Sequence, residues 1–178
     1  MHKPILFTTL GFPGSGKTYF ARRFAKDIVA FHLSSDIVRN QLFPKPRFTS
    51  KENRMVFGMM DYIAEELLRC GVSVVCDANF NKRAYRKRLR RIAKKCGARY
   101  LLLRFQTPIA TALKRLGYRR ALKAAHVLKH HRPIPDNVLF LMKKKIEEPM
   151  RSEPHVFVDG TMTYAAQKKV VLRALSRS

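Results

Sequence analysis

The sequence contains one stretch that decides its fold, Gly11-Phe12-Pro13-Gly14-Ser15-Gly16-Lys17-Thr18, which is a complete G-x-x-x-x-G-K-[ST] loop. An apolar run (5–10) precedes it, and a segment with one apolar and one basic face (17–26) follows it. This order predicts a buried strand, a phosphate-binding loop and a helix whose N-terminus faces the phosphates. The alternative is a glycine-rich turn that happens to precede Lys-Thr. The spacing does not match the G-x-G-x-x-G of dinucleotide folds, which disfavours NAD.

The loop supplies most of a predicted ATP site. Its glycines let several backbone N–H groups converge on a polyphosphate without Cβ clashes. We expect Lys17 to reach the β- and γ-phosphates and the hydroxyl of Thr18 to ligate Mg²⁺, so ATP and Mg²⁺ are the expected cofactors. The ATP-binding residues predicted within the loop are Gly11, Pro13, Gly14, Ser15, Gly16, Lys17 and Thr18.

Strand-like and helix-like segments alternate along the chain. The predicted strands are 5–10, 28–33, 72–76, 100–105 and 155–158, and the predicted helices are 17–26, 36–42, 52–70, 82–96, 108–121, 136–147 and 163–175. Such alternation produces a parallel sheet through right-handed crossovers. We therefore expect an α/β P-loop NTPase fold, a three-layer sandwich with a central parallel sheet of about five strands and a helical lid. Residues 1–178 are predicted to form one domain, with a basic lid at about 115–140.

The composition is typical of a globular protein in a reducing compartment. Hydrophobic residues make up 46% of the chain, which supports a substantial core. The cysteines, Cys70, Cys76 and Cys96, are odd in number and lack C-x-x-C spacing, which favours structural thiols over a disulfide or a zinc site. No apolar run approaches the length of a spanning helix. We expect a cytoplasmic protein that does not contact a membrane.

Positive charge dominates the chain, which carries a formal net charge of +25 at pH 7. Between Asp77 and Asp136 there is no Asp or Glu at all. An acid-free basic stretch of this length favours a polyanionic partner, most simply RNA or DNA. The alternative is that these charges are merely solvated. The sequence gives no sign of an obligate protein partner.

Two residues after the second predicted strand are candidates for binding and activating an acceptor. Asp36 is expected at the carboxyl end of that strand, where open α/β sheets bind ligands, and is the candidate general base. Its alternative role is to start the following helix together with Ser34 and Ser35. Arg39 follows on the same helical face, where it is expected to hold an anionic acceptor or to form a local ion pair with Asp36.

Asp77 ends the hydrophobic run 72–76, which is the pattern of a Walker B carboxylate that serves Mg²⁺ or its waters. The alternative is a cap or turn residue. Asn79 is placed to contact the acceptor, although asparagine more often makes turn and N-cap hydrogen bonds.

Two arginines near the predicted lid complete the candidate site. Arg115 and Arg119 are one helical turn apart and are predicted to contact the ATP phosphates, as an arginine finger supplied from the same chain. The alternative is a solvated helix face. The predicted catalytic residues are therefore Lys17, Asp36 and Arg119.

These segments together resemble the P-loop kinases around phage-type polynucleotide 5′-kinase, a wider group that includes zeta-toxin-like and small-molecule kinases. The resemblance is carried by Gly11 to Thr18, Ser35-Asp36-Ile37-Val38-Arg39, Val74 to Asn81 with Arg86, and Arg115 to Arg119. It implies that Asp36 is the base, that Arg39 contacts the acceptor's phosphate and that Arg119 bridges the ATP phosphates. It also implies acceptor-side roles for Asp77, Asn79 and Arg86.

The chain departs from the polynucleotide branch at Ala78, where a Thr is expected. It also ends where the phage-type enzyme continues into a phosphatase domain, so we expect no end-healing phosphatase activity. The leading hypothesis is an ATP-dependent kinase that phosphorylates the 5′-OH of a polynucleotide. The alternatives are a small-molecule kinase acting on a sugar, nucleoside or antibiotic, and a nucleic-acid-binding module that uses ATP as a conformational signal.

Overall fold

A computed structural model describes residues 3–124 and 135–176. It contains five strands, which are β1 (Ile5–Leu10), β2 (Phe31–Ser34), β3 (Val74–Asp77), β4 (Arg99–Gln106) and β5 (His155–Asp159). They form one sheet in the order β2-β3-β1-β4-β5, and every neighbouring pair is parallel. The predicted five-stranded parallel sheet is therefore confirmed.

The described helices are α1 (Lys17–Asp27), α2 (Ser35–Leu42), α3 (Ser50–Arg69), α4 (Arg83–Lys95), α5 (Ile109–Ala124), α6 (Asp136–Lys144) and α7 (Tyr164–Ser176). Each corresponds to a predicted helix. The larger differences are at β2, which begins three residues later than predicted, at α5, which ends three residues later, and at α6, which ends three residues earlier. At β2 the cause is a turn at the end of α1, where Val29 adopts a left-handed φ of 52° and Ala30 N–H donates to Ala25 O at 2.8 Å.

Two buried cores make the three layers. On one face of the sheet, α1 and α7 cover Phe7, Val75 and Phe105. On the other face, α3 and α4 cover a cluster that includes Leu6 and Cys76. Successive strand residues alternate between the two faces, as a sheet covered on both sides requires. The three-layer α/β architecture is confirmed.

A third, smaller core supports the phosphate-binding loop itself. Phe12 is 3% exposed and packs against Ala112 and Leu116 of α5 and Leu139 of α6. The two helices that border the predicted lid are thereby attached directly to the loop. The central part of that lid, 125–134, lies outside the described residues, so the lid stays a prediction. In the ranges that the structure describes, no helix combines the length and apolar character needed to cross a membrane.

The segment between α6 and β5 contacts both α4 and β4, and we call residues 145–154 the strap. Two arginines hold it through carboxylates. Arg104 of β4 binds Glu148 with Nε and Nη2, and Arg86 of α4 binds Glu153 with Nε at 2.8 Å and Nη2 at 3.1 Å. The strap therefore connects α4 to β4 and fixes the chain direction before the last strand.

Candidate active site

Predicted site residues from three parts of the chain lie together at the carboxyl ends of β1, β2 and β3. The P-loop, residues 11–18, follows β1, Asp36 lies in the first turn of α2 directly after β2, and Asp77 is the last residue of β3. Asp77 is paired in register with Ser34, which precedes α2. Strand order thus places an acid from β3 between the P-loop and the start of α2.

The P-loop has the closed backbone path that its glycines predict. Gly14 has a φ of 81°, and a Cβ there would lie 2.8 Å from Ala112 O, so both conformation and space require glycine. Gly16 precedes α1 as its N-cap residue, with a left-handed φ of 99°. The N-terminus of α1 therefore faces the cavity of the loop, where its free N–H groups suit an anion.

Lys17 is 8% exposed and folds back into the loop. Its Nζ donates to Gly11 O at 2.7 Å, Phe12 O at 2.9 Å and Ser15 Oγ at 3.4 Å. Burial lowers the pKa of Lys17 from 10.5 to about 8, against the opposing attraction of Asp77, while Arg119 lowers it further and Asp36 raises it. Asp36 and Arg119 therefore affect the charge of Lys17 in opposite directions.

Thr18 and Asp77 form the pair expected at a magnesium site. Thr18 Oγ1 donates to Asp77 Oδ1 at 3.2 Å, and Asp77 is 4% exposed. A hydroxyl and a carboxylate side by side are hard oxygen donors, which fits Mg²⁺ held partly through water. The two predicted metal-binding residues are thus brought together.

His32 is a site residue that the sequence reasoning missed. Its Nε2 lies 3.3 Å from Asp77 Oδ2, the oxygen that Thr18 does not contact. The side chain of His32 is 15% exposed. The sequence feature that could have identified it is its position two residues before the end of β2. A residue at that position lies on the same face of the sheet as Ser34, which pairs with Asp77.

Asp36 and Arg39 lie on α2 but differ in burial. Asp36 is exposed in the first helical turn, while the N-cap position belongs to Ser34, whose side chain makes no capping hydrogen bond. Arg39 is 5% exposed, and its Nη2 donates to Asn53 Oδ1 at 2.7 Å. Asp36 is near enough to raise the pKa of Arg39, although desolvation is the larger effect and lowers it. The two residues predicted to bind the acceptor therefore lie on the same helix and interact electrostatically.

Asn79 lies in the loop after β3, which Thr9 holds in place. Thr9 Oγ1 donates to Ala78 O at 3.0 Å and accepts from Ala78 N–H at 3.2 Å. Among the described residues, Asn79 Oδ1 is buried without a hydrogen-bond partner. Because a buried amide oxygen ordinarily finds a donor, this atom suits a contact with a ligand.

The structure does not support the prediction that Arg86 binds the acceptor. Arg86 is fully buried, and besides Glu153 its guanidinium donates to Phe80 O at 2.9 Å, Asn81 O at 3.3 Å and Glu147 O at 2.9 Å. These bonds use its donors inside the protein. Arg86 instead fixes the loop that carries Asn79 to the strap.

Arg115 closes the P-loop from the α5 side. Its Nη1 donates to Gly14 O at 3.2 Å and its Nη2 donates to Gly160 O at 2.8 Å. A Cβ on Gly160 would lie 2.2 Å from Ser15 O and 2.1 Å from Thr107 Oγ1, which itself donates to Ser15 O at 3.0 Å. Gly160 and Thr107 were also missed, and the available signal was that each lies two residues after the end of a predicted strand. The P-loop is thus supported by the loops after β4 and β5.

A P-loop with a lysine, a Thr–Asp pair and an acid after the second strand defines a nucleotide-binding protein of the P-loop class. A family model described as an AAA domain, AAA_33, matches residues 6–149. The chain therefore belongs to this AAA domain family. No curated protein sequence matches the chain closely enough to count as a relative.

Solved structures share the fold over almost the whole chain. A gluconokinase from Sinorhizobium meliloti 1021 is 20% identical with a TM-score of 0.69, and the match covers 99% of this chain and 94% of that one. An APS kinase from Mycobacterium tuberculosis, in complex with AMPPNP and APS, is 17% identical with a TM-score of 0.71 over 99% of each chain. A sugar kinase from Janibacter sp. HTCC2649 is 15% identical with a TM-score of 0.69, covering 99% and 95%. At these identities the likeness establishes the fold, which is that of P-loop kinases.

Proposed function

We propose that the chain is an ATP-dependent kinase that transfers the γ-phosphoryl group to a hydroxyl of a small molecule. The observation that carries this proposal is the position of an exposed acid, Asp36, in the first turn of α2, directly after the strand that pairs with the one carrying Asp77. Nucleotide binding alone needs no such acid. The structurally similar gluconokinase, APS kinase and sugar kinase favour a small-molecule acceptor over a polynucleotide.

Each part of the proposed site has one task in phosphoryl transfer. Backbone N–H groups of the P-loop and Lys17 hold the phosphates, and Arg115 and Arg119 approach them from α5. Thr18 and Asp77 would hold Mg²⁺, which when bound neutralises phosphate charge. Asp36 orients the acceptor hydroxyl and takes its proton.

The experiment incubates the full chain with γ-labelled ATP, Mg²⁺ and separate acceptors, which are gluconate, sugars, nucleosides, phosphorylated or sulfated nucleosides and 5′-OH oligonucleotides. We expect label in a small molecule and a fall of about 10²- to 10⁴-fold in turnover for Asp36→Asn. Asp27→Asn is the matched control, because Asp27 is a carboxylate at the far end of α1. No labelled acceptor in any mixture would contradict the kinase proposal.

A polynucleotide acceptor is the second candidate, and one observation favours it. Lys87, Arg91 and Lys94 are exposed along one side of α4 at i, i+4 and i+7, and we call them the α4 cation stripe. None of the three is paired with a carboxylate in the described ranges. α4 begins just after the loop that carries Asn79. A single-stranded nucleic acid bound along the stripe could therefore have its end near Asn79, which is predicted to contact the acceptor. Label found only in oligonucleotides would establish this second candidate.

A further inference from the structure

Arg39 is a buried cation with incomplete hydrogen bonding. Its Nη1 lies 3.5 Å from Glu52 Oε2, beyond ordinary charge-assisted hydrogen-bond length, while only Nη2 makes a short bond, to Asn53. Among the described residues, Nε and Nη1 are buried without a hydrogen-bond partner. Unsatisfied N–H groups on a 5% exposed guanidinium cost free energy, and a ligand that accepts hydrogen bonds from them would remove this cost.

Phe48 covers this guanidinium. Its ring centroid lies 4.5 Å from Arg39 Cζ, within the range of a cation–π contact. The backbone of Phe48 has a φ of 59°, in the left-handed region that a bulky residue rarely adopts. Such strain persists only where the surroundings impose it, and it is concentrated at ligand clamps and switches.

Glu52 imposes that conformation. Its carboxylate accepts the backbone N–H of Arg47 at 3.0 Å and that of Phe48 at 2.5 Å. Thr49 caps α3 in return by accepting from Glu52 N–H at 3.2 Å. One carboxylate therefore holds the loop in place and at the same time faces Arg39. An arriving anion would compete with Glu52 for the same cation.

We propose that Phe48 gates an oxyanion subsite on Arg39, which opens for a phosphate, sulfate or carboxylate group carried by the acceptor. In the closed position Phe48 and Glu52 cover the guanidinium. The oxyanion displaces the ring, satisfies the unpartnered N–H groups and releases the strained backbone of Phe48. This inference rests on the proposed kinase function, and it narrows the acceptor to an anionic molecule.

The position of Arg39 supports that assignment. Arg39 lies three residues after Asp36 on α2, and their charges interact. An acceptor with its anionic group on Arg39 would therefore have its hydroxyl near the proposed base. Neutral sugars and nucleosides would leave the gate closed, and we expect them to be poor acceptors.

The chain has no tryptophan, so Phe48→Trp supplies a single fluorescent reporter on the gate. The titrants are inorganic phosphate and sulfate, in the presence of saturating AMPPNP and Mg²⁺ so that the P-loop is already filled. We expect a saturable change in tryptophan emission, and at least a tenfold weaker response in Phe48→Trp combined with Arg39→Met. Tyr62→Trp, an exposed site on α3, is the control reporter and should not respond.

A second measurement does not depend on the affinity of free phosphate. Phenylglyoxal modifies accessible arginines, and peptide mapping gives the rate at Arg39. Phe48→Gly removes the ring and accepts a left-handed φ without strain, so we expect Arg39 to react several-fold faster than in the unaltered chain, with Arg86 as the unaffected internal reference. Equal rates at Arg39, or a phosphate response that survives Arg39→Met, would overturn the gate. Neither readout requires catalysis, so a protein that binds phosphate here but labels no acceptor would contradict only the kinase proposal.

Discussion

Lys17 shows how burial tunes a single side chain of this site. Its ammonium group donates to two backbone carbonyls and to Ser15, yet desolvation still lowers its pKa to about 8. A bound triphosphate replaces those weak acceptors with charged oxygens, which favour the protonated amine. Nucleotide binding and proton uptake are therefore linked at this residue.

This linkage predicts the pH dependence of ATP binding. Below pH 8 Lys17 is protonated in both free and bound protein, so affinity should be flat. Above pH 8 the free protein loses the proton that the complex retains, and affinity should fall by up to about tenfold per pH unit. Calorimetric titration in buffers of different ionisation enthalpy measures both the affinity and the proton uptake.

Lys17→Arg is the control, because a guanidinium stays protonated throughout this range. We expect this variant to bind more weakly but with a flat profile from pH 8 to pH 10. The same decline in both proteins would assign the effect to another group.

Residue types and spacing predicted which side chains lie around the P-loop, because the geometry of such a loop is largely local. Lys17, Thr18 and Asp77 lie together as expected. The role of Arg86 was not predictable, because its partner Glu153 is 67 residues away and nothing local marks it. His32 was missed for the same reason, since only strand register shows that it reaches Asp77.

Among the elements, the strap is the part whose course the sequence did not predict. The pattern favoured a helix to residue 147, but α6 ends at Lys144. Glu147 and Glu148 lie beyond the helix instead. Glu148 pairs with the guanidinium of Arg104, and the carboxylate of Glu147 accepts the backbone N–H of Arg83 at 2.7 Å. Tertiary pairing therefore overrides a helical periodicity that was otherwise continuous.

Substitution of Arg86 measures how much the strap contributes to the stability of the fold. Arg86→Met leaves Glu153 buried without its cation, which should lower the free energy of unfolding by about 3–5 kcal/mol. Arg86→Met combined with Glu153→Leu removes both charges and should recover part of that loss. Urea unfolding followed by circular dichroism measures both.

The matched control is Arg88→Met on the same helix. Arg88 also binds a carboxylate, that of Asp61, but its side chain is 46% exposed. We expect a loss of less than about 1 kcal/mol. Equal losses at Arg86 and Arg88 would show that the buried network contributes no more than a surface pair.

At the scale of the whole molecule, charge and fold are separate properties. The alternation of segments sufficed to predict five parallel strands and three layers, because crossover rules leave few topologies. The net charge of +25 does not follow from this architecture. The functional consequence of this charge depends on where cations without a carboxylate partner are grouped on the surface. Among the described residues, the α4 cation stripe is one such group.

If that stripe binds nucleic acid, the interaction must depend on salt. Changing Lys87, Arg91 and Lys94 together to Gln should weaken binding of a single-stranded oligonucleotide and reduce the slope of log affinity against log salt by about 2. Fluorescence anisotropy at several salt concentrations measures this slope.

A triple change of equal charge on the opposite face of the sheet provides the comparison. Arg22, Lys26 and Lys169 are exposed on α1 and α7, and each is changed to Gln. We expect this variant to keep most of the slope. Similar losses in the two variants would indicate diffuse attraction by the whole surface and remove the reason for a polynucleotide acceptor.

The buried contact between Arg86 and Glu153 also determines when, during synthesis of the chain, the regions around the site can reach their final structure. The loop carrying Asn79 is synthesised early, but the guanidinium that fixes it stays unpaired until Glu153 has left the ribosome. A nascent chain halted before the strap would lack Glu153, and it would also lack Gly160, whose carbonyl accepts from the Arg115 that bonds to the P-loop. The P-loop and the loop that carries Asn79 should therefore reach their final form together, only after β5 and residue 160 have left the ribosome.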